Sequence, residues 1–109
     1  MTKPTDLVQG TLDLLIMRAI ATQKLHGWAI AQRIQLLSKD VLQVNQGSLY
    51  PALYRLEDRG WIASKPALSP EGRRIKVYRL TAAGRRQLSH EIDAWRHFAR
   101  AIDHVVAAT

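Results

Sequence analysis

The sequence predicts a mainly α fold in which four helices accompany one small β-hairpin. Apolar residues recur at helical spacing in four segments, whereas residues 61–80 change to a strand-like composition with a central turn. Charge is the third observation: residues 55–86 carry nine Lys and Arg against three Asp and Glu, most of the net charge of +7. A chain of 109 residues has room for one domain with a modest core.

The first predicted helix covers about Gln9 to Thr22, and its apolar residues occupy more than one face. These residues are Leu12, Leu14, Leu15, Ile16, Met17, Ala19 and Ile20. A helix that is apolar nearly all round needs burial on two sides, which is more than a small monomer offers. We therefore expect a further element or a second chain to cover it.

A second helix is predicted from about Gly27 to Leu37 and a third from about Ser48 to Arg59. Ser48 is the expected N-cap of the third helix, which places Pro51 in the first turn, where its missing N–H costs nothing. Gly60 follows at a position where a left-handed helix end is favoured. The core-facing residues of the third helix are expected at i, i+4 and i+7: Leu49, Leu53 and Leu56.

The predicted hairpin consists of strands over Trp61 to Leu68 and Ile75 to Leu80. The Ser-Pro-x-Gly run between them, Ser69 to Gly72, matches a type I turn and leads into two arginines. Pro66 cannot donate a ladder hydrogen bond, so it predicts an edge position or a bulge for the first strand.

Thr81 is the expected N-cap of a last helix that reaches about Val106. Its apolar residues alternate spacings of four and three, which is typical of a heptad seam. The seam residues are Leu88, Ile92, Trp95, Ala99, Ile102 and Val106. A long terminal helix with such a seam usually packs on a partner helix, so we expect a homodimer.

Three helices followed by a basic hairpin are typical of a winged helix-turn-helix, in which one helix enters the major groove and the hairpin, or wing, reaches the backbone. We therefore predict a DNA-binding domain over residues 1–80 and a dimerisation helix over residues 81–109. The candidate contacts to double-stranded DNA carry hydroxyl, amide or cationic groups: Gln46, Ser48, Tyr50, Tyr54, Arg55, Arg73, Arg74 and Lys76. The cations of the wing suit phosphates, which contribute affinity through counterion release.

Each of these assignments has a structural alternative. Tyr54 packs beside the core, or Arg55 and Arg59 pair with Glu57 and Asp58 on a solvated face. A basic surface also occurs in proteins that bind no nucleic acid. For the whole chain, the alternative is a winged helix that binds other proteins.

Other classes of function are not expected. The chain has no cysteine, no membrane-length apolar run, no signal-peptide pattern and no catalytic motif, so we expect a cytoplasmic non-enzyme without cofactor. His90, His97 and His104 recur every seven residues with Asp93 between them, a spacing that a metal site can use. They fall on f positions of the heptad, away from the seam, so we predict no metal.

Four runs of the sequence carry a resemblance to a known family: LVQGTLDLLIMRAI, HGWAIAQRI, QGSLYPALYRLEDRGWI and GRRIKVYRLTAAGRRQL. Together they resemble the PadR family of bacterial transcriptional regulators over residues 7 to about 106. The resemblance implies a winged helix-turn-helix with a C-terminal dimerisation helix. It also implies binding to inverted-repeat operators, usually repression, and release of the DNA by a small aromatic or lipophilic effector. The alternative in this class is a DNA binder without an effector.

The resemblance also assigns roles to individual positions. It implies that Ser48, Tyr50, Pro51 and Tyr54 lie on the recognition helix, and it places four residues on the wing: Gly72, Arg73, Arg74 and Lys76. Trp95 matches an aromatic position that lines an effector pore at the dimer interface of some relatives. Its alternative is plain packing in the seam. Trp28 stands where the family commonly has tyrosine, so the sequence departs from the family there.

Overall fold

Four helices and a three-stranded antiparallel sheet form the part of the chain that this computed structural model describes, residues 9–108. The elements are α1 (Gln9–Ala19), β1 (Leu25–His26), α2 (Gly27–Leu37), α3 (Gln46–Asp58), β2 (Ile62–Leu68), β3 (Arg74–Leu80) and α4 (Ala82–Ala107). This confirms the mainly α fold with a hairpin wing. Residues 1–8 of the predicted DNA-binding domain and Thr109 of the last helix lie outside the described residues.

The hydrophobic core lies where α1, α2 and α3 meet the base of the hairpin. Its largest fully buried side chains are Ile16, Met17, Ile30, Leu49, Leu53, Leu56 and Ile62. The three leucines are those predicted from the helical spacing of α3. Because they fix the buried face of α3, they also fix which of its residues reach the surface.

The start of α3 differs from the prediction. Asn45, not Ser48, is the N-cap, and its side-chain oxygen accepts a hydrogen bond from the Ser48 N–H at 2.8 Å. Asn caps as well as Ser, and this cap starts the helix two residues earlier. Pro51 therefore lies in the second turn and removes the donor that the Gly47 carbonyl would otherwise have. Gly47 and Pro51 are both exposed, so water can satisfy that carbonyl.

A strand that was not predicted follows α1, which ends at Ala19 instead of Thr22. The chain turns there into β1, whose two residues pair with β3, Leu25 opposite Tyr78. Two residues are too short for a periodic signal in the sequence. The strand order is β1-β3-β2, so β2 is an edge strand, as Pro66 predicts.

The turn of the hairpin holds the wing in shape. The Gly72 N–H donates to the Ser69 carbonyl at 2.9 Å, the hydrogen bond expected of the predicted β-turn, and the positive φ of Gly72 (81°) suits glycine. Along β3, alternate residues face the helices: Arg74, Lys76, Tyr78 and Leu80 share the inner face, whose last two members are buried. The inner face of β3 thus carries the cations Arg74 and Lys76 at the end of the strand that is next to the turn.

The end of α3 and the start of α4 meet at one joint, formed by Gly60, Trp61, Thr81 and Gly84. Gly60 has φ +76° and ends α3, while the Trp61 N–H donates back to Leu56 at 3.1 Å. The Thr81 N–H donates to the Trp61 carbonyl at 3.1 Å, and its hydroxyl donates to the Gly60 carbonyl at 2.7 Å. The same hydroxyl accepts from the Gly84 N–H at 3.0 Å, which confirms Thr81 as the predicted cap of α4.

Gly84 is required at this joint by close packing. It is buried in the first turn of α4, and a Cβ added there would collide with the carbonyl oxygen of Trp61 and with the Leu80 side chain. A backbone carbonyl cannot rotate away as a flexible side chain can. Any larger residue would therefore push α4 off the end of the sheet.

We expect Gly84→Ala to lower the free energy of unfolding by about 1–3 kcal/mol, because the added methyl overpacks the joint. Denaturant unfolding followed by circular dichroism measures the change. The matched control is Gly10→Ala in α1, where nothing lies within 4 Å of an added Cβ. That change should raise stability by about 0.5 kcal/mol through helix propensity. Stabilisation by both substitutions would contradict the proposed packing.

The two halves of α4 have different surroundings. Leu88 is 7% exposed and Ile92 packs against the core, so these two residues of the predicted seam are used within their own chain. The second half extends away from the helices and makes the molecule 58 Å long. Its exposed apolar residues are Trp95, Phe98, Ile102, Val105 and Val106.

Candidate nucleic-acid interface

One face of α3 is exposed and carries polar groups without charge. Gln46, Tyr50 and Tyr54 follow one another at i, i+4 and i+8, in a row beside the buried leucines. Tyr54 is 75% exposed and Tyr50 44%, so packing beside the core does not account for Tyr54. An amide and two phenols on an exposed helix can donate and accept hydrogen bonds at base edges or phosphates.

Arg55 departs from the expected outer position. Its Nη2 donates to Asp13 Oδ1 at 2.8 Å, and the side chains are 29% and 8% exposed respectively. The arginine pairs with a buried carboxylate of α1, whereas the sequence analysis considered Glu57 and Asp58 as partners. Arg59 lies over the ring of Trp61, with its guanidinium carbon 5.2 Å from the centroid. The exposed face of α3 is therefore less basic than the sequence suggests.

The wing contributes the exposed cations beside α3. Arg73 ends the turn, where its N–H donates to the Ser69 hydroxyl at 3.0 Å, and Arg74 and Lys76 follow on the inner face of β3. All three of these basic side chains are exposed. Ser48 is half-buried in the first turn of α3, so among the candidate residues it is less accessible than the tyrosines.

A cleft of about 540 Å³ joins α3 to the wing. Tyr50 lines it from α3, and Arg74 and Lys76 line it from β3. Its remaining walls are His26, Gly27, Trp28, Ile75 and Tyr78. The cleft therefore brings Tyr50 together with two candidate residues of the wing that follow it by 24 and 26 positions in the sequence.

Gly27 allows Tyr50 to reach this cleft. A Cβ at Gly27 would lie 2.9 Å from Tyr50 Cε1 and 3.2 Å from its hydroxyl oxygen. The phenol ring thus rests directly on the first residue of α2. This contact orients Tyr50 toward the wing.

Tyr78 is a residue of the cleft that sequence reasoning missed, and Trp28, noted from the sequence only as a departure from the family, lines the cleft as well. Tyr78 could have been found, because it follows Arg74 and Lys76 at strand spacing and so shares their face. Burial, followed by the nearby charges of Glu57 and Tyr50, raises the pKa of Tyr78. Its hydroxyl therefore keeps its proton at neutral pH and is a hydrogen-bond donor.

A second concavity lies between α1 and α4. This groove of about 440 Å³ is lined by Thr11, Leu14, Leu15, Arg18, Leu42, Ile92, Trp95 and Arg96. Trp95 is 52% exposed there and packs only partly within its own chain. The sequence analysis expected a further element or a second chain to cover the apolar surface of α1. Part of that surface, Leu14 and Leu15, lines this groove.

Across residues 9–108, no three His, Cys, Asp or Glu side chains are grouped in a way that could hold a metal ion. Nor does any helix in that range have the length and apolar character needed to span a membrane.

Comparison with known proteins identifies the family. A model of the transcriptional regulator PadR-like family matches residues 16–90. The transcriptional regulator Rv3488 of Mycobacterium tuberculosis is 36% identical over 94 residues, which cover 86% of this chain and 84% of the relative.

Solved structures agree in fold. A transcriptional regulator from Clostridium thermocellum superimposes with a TM-score of 0.82 at 23% identity, covering 91% of this chain and 96% of its own. A PadR-like transcription factor from Bacteroides fragilis gives 0.73 at 27% identity, with coverage of 89% and 91%. Members of the matched family regulate transcription and are not enzymes. With the three-helix core, the hairpin wing and a family match over most of its length, this chain belongs to the PadR-like family of transcriptional regulators.

Proposed function

We propose that this chain is a sequence-specific DNA-binding regulator that acts in the cytoplasm as a homodimeric repressor and leaves an inverted-repeat operator when a small effector binds. In this proposal α3 is the recognition helix and β2–β3 the wing of a DNA-binding domain over residues 1–80. Residues 81–109 are the dimerisation helix. The repressor role and the inverted repeat are carried over from the family resemblance.

The observation that carries DNA binding is the cleft shared by α3 and the wing. An uncharged face with Gln46, Tyr50 and Tyr54 suits base edges in the major groove. Beside it, the exposed Arg73, Arg74 and Lys76 suit phosphates. Arg55 is assigned a structural role, since its guanidinium is engaged by Asp13.

We expect the double substitution Arg73→Ala with Arg74→Ala to weaken binding to an operator duplex and to flatten its salt dependence. Two lost phosphate contacts should reduce the slope of log K against log salt by about 1.8, because each contact contributes about 0.9. Fluorescence anisotropy with a labelled duplex over a range of salt concentrations measures both quantities.

A second arginine pair provides the control. Arg85→Ala with Arg86→Ala removes the same charge from the exposed side of α4. If the wing contacts the backbone, this pair leaves the slope near the wild-type value. Equal slopes for the two double variants would remove the wing from the interface.

The exposed second half of α4 supports the homodimer. Apolar side chains in such number on a projecting helix are unusual unless a partner covers them. A second copy fits, since Trp95, Ala99, Ile102 and Val106 keep the heptad spacing that a helix of the same sequence would match. The proposed interface residues are therefore the outer part of the predicted seam, with Leu88 and Ile92 supporting it from the core.

We expect Ile102→Asp to convert the dimer into a monomer, because it places a carboxylate in the middle of the proposed apolar interface. Light scattering measures the mass, and operator affinity should fall at least about 100-fold when two half-sites no longer bind together. His104→Asp, at an exposed f position two residues away, is the matched control and should stay dimeric. A dimeric Ile102→Asp protein with unchanged affinity would refute the interface.

The groove between α1 and α4 supports the effector site, with Trp95 in its wall. Its surface is mostly apolar, and Arg18 and Arg96 add two cations without any acidic residue among the lining side chains. This combination favours an aromatic acid over a lipophilic cation. The effector proposed here is thus a small aromatic carboxylate.

We expect 2-naphthoate to quench the fluorescence of Trp95 and to weaken operator binding, while the neutral 2-naphthamide acts at higher concentration because it lacks the charge for Arg18 and Arg96. The Trp95→Phe variant should lose the spectral response, which separates Trp95 from the other two tryptophans. No response to either compound would favour a DNA binder that needs no effector.

A further inference from the structure

We propose that the cleft between α2, α3 and the wing is a phosphate-binding site, occupied by one phosphate of the DNA backbone when the duplex is bound. The identification of the ligand as a DNA phosphate rests on the proposed function, whereas the proposal that the cleft binds phosphate does not. The residues that carry the argument are His26, Gly27, Tyr78, Arg74 and Lys76.

The first group of donors is the N-terminus of α2. This helix of eleven residues begins at Gly27, and its N-cap His26 makes no side-chain cap hydrogen bond. His26, Gly27 and Trp28 all line the cleft. The first-turn N–H groups therefore lack a side-chain acceptor at the end of the helix dipole that favours an anion.

The second, independent observation is the Tyr78 hydroxyl. Tyr78 is 6% exposed, lines the cleft and forms no hydrogen bond with any residue of the described range. Its ring is buried, while its hydroxyl oxygen stays accessible from the cleft. An acceptor placed in the cleft would satisfy it, and because the phenol stays protonated it donates to that acceptor.

The third contribution is the charge of the wing. Arg74 and Lys76 lie on the same face of β3 as Tyr78 and line the cleft at its open end. No acidic residue is among the lining side chains, and the nearby Glu57 carboxylate accepts a hydrogen bond from Ser64 at 2.5 Å. Two cations, a hydroxyl that can donate and uncapped N–H groups together supply the hydrogen-bond donors that a phosphate oxyanion requires.

The position of the cleft favours a phosphate of the DNA backbone over free phosphate as its ligand. The cleft lies between Tyr50 on the proposed recognition helix and the two cations of the wing. A duplex that contacts both elements brings its backbone across this cleft, whereas a free phosphate would have to bind a site open to water. A backbone phosphate held there would fix how deeply α3 enters the groove.

The first experiment needs no DNA. Inorganic phosphate is titrated into the wild-type protein at constant ionic strength, and the amide resonances of residues 27–29 are followed by ¹⁵N–¹H NMR. Saturable shifts are expected, and Tyr78→Phe and Lys76→Ala should each weaken the binding about five- to tenfold, the effect of one hydrogen bond to a charged group. Tyr78→Phe keeps the buried ring, and thermal unfolding verifies that it folds.

Lys65→Ala is the matched control, because Lys65 pairs with Val77 and so lies on the opposite face of the same hairpin. It should leave phosphate binding unchanged. Phosphate binding that is equally weak in Lys65→Ala and Lys76→Ala, or that is unaffected by Tyr78→Phe, overturns the site.

The second experiment identifies the source. Tyr78→Phe should weaken binding to the operator duplex about five- to tenfold without changing the salt slope, because a phenol displaces no counterion. Single methylphosphonate substitutions along the duplex should reveal one position per half-site at which the wild type and Tyr78→Phe bind equally. If no position has this effect, the DNA-backbone assignment is wrong even where inorganic phosphate binds. If the wild type binds no DNA at all, the proposed function fails while the first experiment still decides the chemistry of the cleft.

Discussion

The joint of Gly60, Trp61, Thr81 and Gly84 is the constraint on which the arrangement of this protein depends. One carbonyl, that of Trp61, accepts the Thr81 N–H at 3.1 Å and packs against Gly84. The end of α3, the base of the hairpin and the start of α4 are thereby held at a single point. The proposed recognition helix, wing and dimerisation helix diverge from it, so the angle of α4 sets the distance between two α3 helices in a dimer.

The Asp13–Arg55 ion pair connects the two concavities of the molecule. Leu14 and Leu15 of α1 line the groove beside α4, while Asp13 binds Arg55 of α3 at 2.8 Å. In the proposed function, a ligand or a partner helix in the groove would contact α1, the helix whose Asp13 is bound to α3. Because Asp13 is buried, displacing it would leave the carboxylate without its cation, which links movement of α1 to movement of α3.

Charge and recognition are divided between two elements. The sequence concentrates nine cations in residues 55–86 and so suggests a basic helix as well as a basic hairpin. In the structure Arg55 is paired and Arg59 lies over Trp61, which leaves a neutral α3 face between Gln46 and Tyr54. In the proposed function, attraction to phosphates then falls to the wing, and α3 discriminates bases by hydrogen bonding.

The sequence alone determined the features that depend on neighbouring residues: the four helices, the glycine stop at Gly60, the cap at Thr81 and the hairpin turn. Such signals act over a few positions and need no information about distant segments of the chain. Only the tertiary structure decided the two-residue strand β1, the partner of Arg55 and the cleft around Tyr78. Each of these joins segments far apart in the chain, and local periodicity contains no information about which distant segments meet.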